Sequence, residues 1–160
     1  MTKIVVVSGN PRPGSRTRTL ATAVGAAIAA RSGAADPAVV DVGLLGTGLL
    51  APDDPATADA VRQLKGADLL IVATPTYKGS YTGVLKVLLD QLPANALAGK
   101  RAVPVVTAGV APQAAAAEAL LRQLLVELGA DVVEPGLPVV EAHLPESSAV
   151  AEKYAAARAW

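Results

Sequence analysis

Ile4-Val-Val-Val-Ser-Gly-Asn-Pro-Arg-Pro-Gly-Ser-Arg-Thr-Arg-Thr-Leu20 changes character twice. Its first five residues are an unbroken, mostly β-branched run, which predicts a strand buried on both faces, as in a parallel sheet. Residues 9–16 are loop-formers. A helix is predicted from about Thr17, with Leu20, Val24 and Ile28 on one face and a stop near Gly33. Strand, glycine- and proline-rich loop, then helix is the opening unit of an α/β fold with a parallel sheet.

The same alternation continues downstream. Val39–Val42 predicts a short second strand, residues 43–57 a loop and Thr57–Leu64 a helix. Leu69–Thr74 is the next buried strand, followed by loop 75–81 and a helix over 82–92. Ala102–Thr107 is a fourth strand, 108–112 a loop and 113–128 a helix ending at Gly129. A fifth strand falls within 131–143, its bounds obscured by Pro135 and Pro138, and 147–159 forms the last helix. The expectation is one domain over residues 1–160, with a five-stranded parallel sheet between two helical layers. Ligands of such sheets bind beyond the carboxyl ends of the strands. That gathers loops 8–17, 75–81 and 107–112.

Composition narrows the chemistry. Of 160 residues, 52% are hydrophobic and 18% charged, a globular balance. There is no cysteine and one histidine, His143, so thiolate and histidine-cluster metal sites are excluded. His143 is read as a structural or surface residue. No apolar run approaches the ~20 residues of a membrane span, and the N-terminal apolar run is too short for a signal peptide. A cytoplasmic protein is expected. The net charge is zero, yet residues 1–35 hold Lys3, Arg12, Arg16, Arg18 and Arg31 and no acid. A local basic region on a neutral chain suits a small anion; nucleic acid calls for a broader basic surface.

The first loop can bind an anion. It offers Ser8, Asn10, Arg12, Ser15, Arg16 and Thr17 before a helix N-terminus, where unpaired N–H groups and a partial positive charge favour phosphate. Arg16 and Arg18 there disfavour the bare helix, and a phosphate reverses that effect. The alternative is a solvated arginine-rich turn with an ordinary hydroxyl cap. The loop is neither G-x-G-x-x-G nor G-x-x-x-x-G-K-[ST], so the dinucleotide and triphosphate fingerprints are absent. Asp41 is read as a solvated residue at a strand end. The second loop, Pro75-Thr-Tyr-Lys-Gly-Ser-Tyr81, holds two of the four aromatic residues in the chain. A phosphate site beside an aromatic platform suits a ligand with a phosphate tail and a flat ring. An oligomer interface is the other use for such tyrosines.

Ser8–Thr17 and Ala73-Thr-Pro-Thr-Tyr-Lys-Gly-Ser-Tyr-Thr-Gly-Val-Leu-Lys-Val-Leu-Leu-Asp90 resemble the two signature regions of the NADPH-dependent FMN reductases, and Leu97–Gly109 continues the likeness. The alkanesulfonate-type branch is the most similar. The resemblance implies a flavodoxin-like three-layer sandwich. It places the FMN phosphate on Asn10, Arg12, Ser15 and Thr17, with Arg16 close by. Pro75, Thr76, Tyr77, Lys78 and Gly79 then line the isoalloxazine, and Thr107 and Gly109 close its far side. It implies hydride transfer from NADPH to FMN with no unique catalytic side chain. Lys78 is a candidate to steady negative charge on the reduced flavin or the NADPH phosphates, or else a solvated loop lysine; Arg18 meets the NADPH 2′-phosphate or serves as plain surface.

The resemblance further implies a homodimer or homotetramer through the 82–92 helix. A flavin-dependent monooxygenase, oxygen or another acceptor takes the electrons; neither nucleic acid nor membrane is a partner. The alkanesulfonate branch carries a tyrosine on the helix after the fourth strand, whereas this chain has no aromatic around Ala114–Ala117. That departure leaves tightly retained FMN and a different acceptor open. Three alternatives stand beside this reading: a quinone- or azo-type reductase, a flavodoxin-like electron carrier, and a module binding some other phosphorylated ligand.

Overall fold

The computed structural model describes residues 2–160. Its strands are β1 (Ile4–Ser8), β2 (Ala38–Asp41), β3 (Leu69–Pro75), β4 (Arg101–Ala108), β5 (Asp131–Val132) and β6 (Leu137–Val140). Its α-helices are α1 (Arg16–Ser32), α2 (Val42–Leu45), α3 (Pro55–Gly66), α4 (Gly83–Leu89), α5 (Ala111–Glu127) and α6 (Ser147–Ala156). The sheet runs β2-β1-β3-β4-β5, all parallel, with β6 also paired to β4. This is the flavodoxin-like doubly wound order, with its switch point between β1 and β3.

The long strands are apolar on both faces because helices cover both. Val5 and Val7 of β1 face a core shared with α3, α4 and α5, which contribute Leu64, Leu85, Leu88, Leu121 and Leu125. Ile4 and Val6 face a second core with Leu20, Val24 and Ile28 of α1 and Ala151, Tyr154 and Ala155 of α6. Alternation along the strand puts Ser8 on that second face as well.

Two expectations need correction. The fifth strand is two pieces, β5 and β6, both on β4; residues 133–136 interrupt it, and Pro135 has no N–H to give a ladder. Residues 43–57 are not an open loop. Val42–Leu45 is helical, Gly46–Leu50 is a 3₁₀ turn and α3 already begins at Pro55. Asp54 caps α3, accepting from Thr57 N at 2.9 Å, and proline suits the first helical turn.

The layer of α1 and α6 is closed by polar contacts. Arg31 pairs with Glu152 across the two helices. The Tyr154 hydroxyl donates to the Pro135 carbonyl at 2.7 Å, and the Arg158 guanidinium lies 3.9 Å from its ring centroid. Burial pushes the Tyr154 phenol above its ordinary 10.0, with Arg158 opposing. A raised folded value means this stability is complete below about pH 10 and is lost as pH climbs through the folded value. Tyr154→Phe is therefore expected to cost about 1 kcal/mol at neutral pH, a fall of about 2–4 °C in melting temperature. The same variant is expected to lose less further stability between pH 9 and 11 than the parent. Melting curves across that range check both.

Candidate functional site

Register aligns the loops. Ser8 lies beside Asp41 on one side and Ala73 on the other, and Pro75 lies beside Thr107. The loops after β1, β3 and β4 therefore leave the same end of the sheet.

The first loop is folded by its own polar groups. Asn10, buried, accepts from Arg12 N at 2.9 Å and donates through Nδ2 to Thr17 Oγ1 at 3.2 Å. Such an Asx turn is what asparagine supplies before a helix. Ser15 caps α1, its Oγ accepting from Arg18 N at 3.3 Å. The first amides of α1, at Arg16 and Thr17, have no partner within the helix. No acid lies in the first turn. Arg12 and Arg16 are exposed and enter no ion pair among the described residues. At the end of β1 the Ser8 hydroxyl is fully buried with no hydrogen-bond partner. Free amides and two free guanidinium groups around one helix end form a donor set that fits a phosphate.

Arg18 is not free. Its Nη1 lies 3.1 Å from Asp41 Oδ2, and the Asp41 side chain is 1% exposed. The expectation of a solvated Asp41 is thus overturned: the strand end is covered by the first loop, and the carboxylate is satisfied from three sides. It accepts from Arg18, from Gly14 N at 3.0 Å and from Gly43 N at 3.2 Å.

The second loop is a tight hairpin. Tyr77 N donates to Ser80 O at 2.9 Å, and Ser80 N returns a bond to Tyr77 O at 3.2 Å. Lys78 and Gly79 take φ of 53° and 81°, the left-handed pair that a two-residue hairpin turn requires. Glycine adopts this freely, whereas the lysine is strained by about 1 kcal/mol. Tyr77, 48% exposed, stands at the base of the turn. The Thr76 hydroxyl donates to the Thr107 carbonyl at 2.8 Å, tying this loop to β4. Gly109 follows, exposed, with open space where a side chain would be.

The twelve predicted residues thus form two groups. Asn10, Arg12, Ser15, Arg16 and Thr17 make one; Pro75, Thr76, Tyr77, Lys78, Gly79, Thr107 and Gly109 make the other. What joins them escaped the sequence reading. Gly9 N donates to Ala73 O at 2.7 Å, Thr82 Oγ1 donates to Gly9 O, and Thr82 N donates to Thr74 Oγ1 at 3.1 Å. A side chain at Gly9 would meet Ala73 O and Leu85 Cβ at 2.9 Å. Thr82 also caps α4 through Leu85 N. A threonine three residues before a leucine-rich helical run was the available signal.

The model of the NADPH-dependent FMN reductase family matches residues 2–143. The chain belongs to that family. "FMN reductase (NADPH)" of Pseudomonas aeruginosa is 34% identical over 155 residues, covering 94% of this chain and 83% of that protein. The Escherichia coli protein of the same name is 44% identical over 85 residues, 53% of this chain, and the match spans only 44% of that relative's length. Among solved structures, the apo form of an NADH:FMN oxidoreductase (EMOB) superposes with a TM-score of 0.81 at 32% identity, covering 99% of this chain and 91% of that one. This FMN reductase-family chain has no helix among the described residues that is long and apolar enough to cross a membrane. Nor do those residues hold a cluster of His, Asp or Glu able to bind a metal.

Proposed function

We propose that this chain is an NAD(P)H-dependent FMN reductase, with FMN held across the two loops and NADPH as the hydride donor. The observation that carries the reading is a loop with free Arg12 and Arg16, running from the end of β1, where the Ser8 hydroxyl is orphaned, to the N-terminus of α1, one strand away from an exposed tyrosine hairpin. Family membership and the names of the relatives support the cofactor pair.

When bound, the flavin supplies the hydride-accepting ring, and the protein supplies position and electrostatics. Asn10, Ser15, Thr17 and the first amides of α1 cradle the phosphate, and Arg12 and Arg16 neutralise it. The Tyr77–Ser80 hairpin would set one wall for the ring. Thr76 fixes that wall against Thr107, and Gly109 leaves room for the ring edge. Lys78, in the turn of this hairpin, would supply positive charge to a reduced ring. No side chain here needs to take a proton, which suits a site without histidine or paired carboxylates. Exposed Tyr77 and the open space at Gly109 would leave room for the nicotinamide.

A flavin reduced in this site would supply electrons to a monooxygenase, to oxygen or to another acceptor. A reaction fed by NADPH belongs in the cytoplasm. We further assign the outer face of α4 to self-association. Val84, Val87 and Tyr81 are only half buried there, and Leu50, 78% exposed, stands beside them. An apolar strip of this kind suits a second copy of the chain.

The test is direct. Purified protein is mixed with excess FMN, desalted and titrated with NADPH without air. Retained flavin that bleaches on NADPH addition is expected. NADPH oxidation only in the presence of free FMN would make the flavin a substrate of the same reductase. Absence of both binding and turnover would overturn the reading.

A further inference from the structure

We infer that Asp41 is a positioning residue that clamps the first loop from below and so sets its affinity for the phosphate of the flavin; the inference rests on the function proposed above.

Three observations converge on this carboxylate. Its Oδ2 accepts from Gly14 N at 3.0 Å and from Arg18 Nη1 at 3.1 Å, and its Oδ1 accepts from Gly43 N at 3.2 Å. Gly14 sits in the loop at a φ of 64°, Arg18 in the first turn of α1, and Gly43 in α2. One buried side chain therefore ties together the middle of the loop, the first turn of the helix that follows it and the start of α2. Gly43 completes the clamp by close approach. A Cβ there would lie 2.7 Å from Pro13 N and 2.8 Å from Pro11 O, so the backbone of α2 presses on the loop.

The clamp also sorts the cations. Three arginines surround the loop, and Asp41 holds Arg18 while leaving Arg12 and Arg16 free. A buried negative charge beside an anion site would otherwise weaken anion binding. Here its field is absorbed by a paired guanidinium and two backbone N–H groups. What remains is geometry: preset donors lose less freedom when the phosphate arrives.

Asp41→Asn separates this role from general structural damage. FMN and riboflavin share the ring and differ in the phosphate, so fluorescence titrations with both isolate the loop. The expected result is a roughly tenfold or larger loss of FMN affinity with riboflavin affinity unchanged, as for one charge-assisted hydrogen bond. Equal loss for both flavins, unchanged FMN affinity or tighter FMN binding would each overturn the assignment. Amide exchange in flavin-free protein reads the clamp without any ligand. Gly14 is exposed, so slow exchange of its N–H in the parent has to come from Asp41, and the variant is expected to exchange at least about tenfold faster. Fast exchange at Gly14 in the parent itself would sink the clamp even where the variant fails to fold. Failure of the parent to bind either flavin would count against the proposed function, leaving the exchange result to judge Asp41.

Discussion

Replacing Arg12 and Arg16 together by alanine is expected to weaken FMN binding by about 10²–10⁴-fold. Each guanidinium contributes a charge-assisted hydrogen bond worth about 1.5–3 kcal/mol, and about 1.4 kcal/mol is a factor of ten. Riboflavin, without the phosphate, is expected to bind the variant as it binds the parent. The fold should not suffer. Arg16 stands at the first position of α1, where positive charge opposes the helix dipole, so its removal adds a few tenths of a kcal/mol of stability. The signature is thus loss of FMN affinity with an unchanged or raised melting temperature. Parallel loss of riboflavin affinity would mean that the arginines serve the ring or the fold and not the phosphate.

Leu85→Ala carries the largest expected stability cost. Leu85 is fully buried on α4, in the core beneath β1 and β3, and its Cβ faces Gly9 across the weld between the loops. Truncating a buried leucine costs about 2–5 kcal/mol, depending on how far the site collapses. For a chain of this size that lowers the melting temperature by about 4–20 °C. Because α4 starts at Thr82, the loosening should reach the hairpin as well. Denaturant titrations followed by circular dichroism measure the cost. A loss below about 1 kcal/mol would show that α4 repacks without Leu85.

The elements read most easily from sequence were those with a single dominant signal. Ile4–Ser8 and Leu69–Pro75 are apolar on both faces because helices cover both, and such runs leave no other reading in an alternating chain. Tyr77–Gly79 stood out because aromatics are scarce and Lys-Gly marks a turn. The two corrected segments share a different cause. Gly46–Leu50 is rich in glycine and leucine without periodicity, and its 3₁₀ turn is fixed by Thr57 Oγ1 donating to Gly48 O at 3.1 Å, a tertiary contact. The interruption at 133–136 is likewise held from outside, by Tyr154 and by Arg122, which donates to Val133 O at 3.0 Å. Asp41 was misread for the same reason: its three donors come from different segments of the chain, and spacing cannot reveal them. The turn of the first loop was legible because the hydrogen bonds that fold it are local: Asn10 accepts from Arg12 N and donates to Thr17 Oγ1.

The broken outer strand bears on how copies of this chain meet. An open sheet ends in rows of unused backbone donors and acceptors that can recruit a strand from another molecule. Here one end is a two-residue and a four-residue piece with a bend between them, and the longer piece contains Pro138, which has no N–H to offer. The other end, β2, is four residues long and follows Pro37. A visiting strand finds only short ladders, of two and four residues at one end and four at the other. Short edges disfavour growth by adding strand to strand, the route to fibres, and favour assembly through the helical faces.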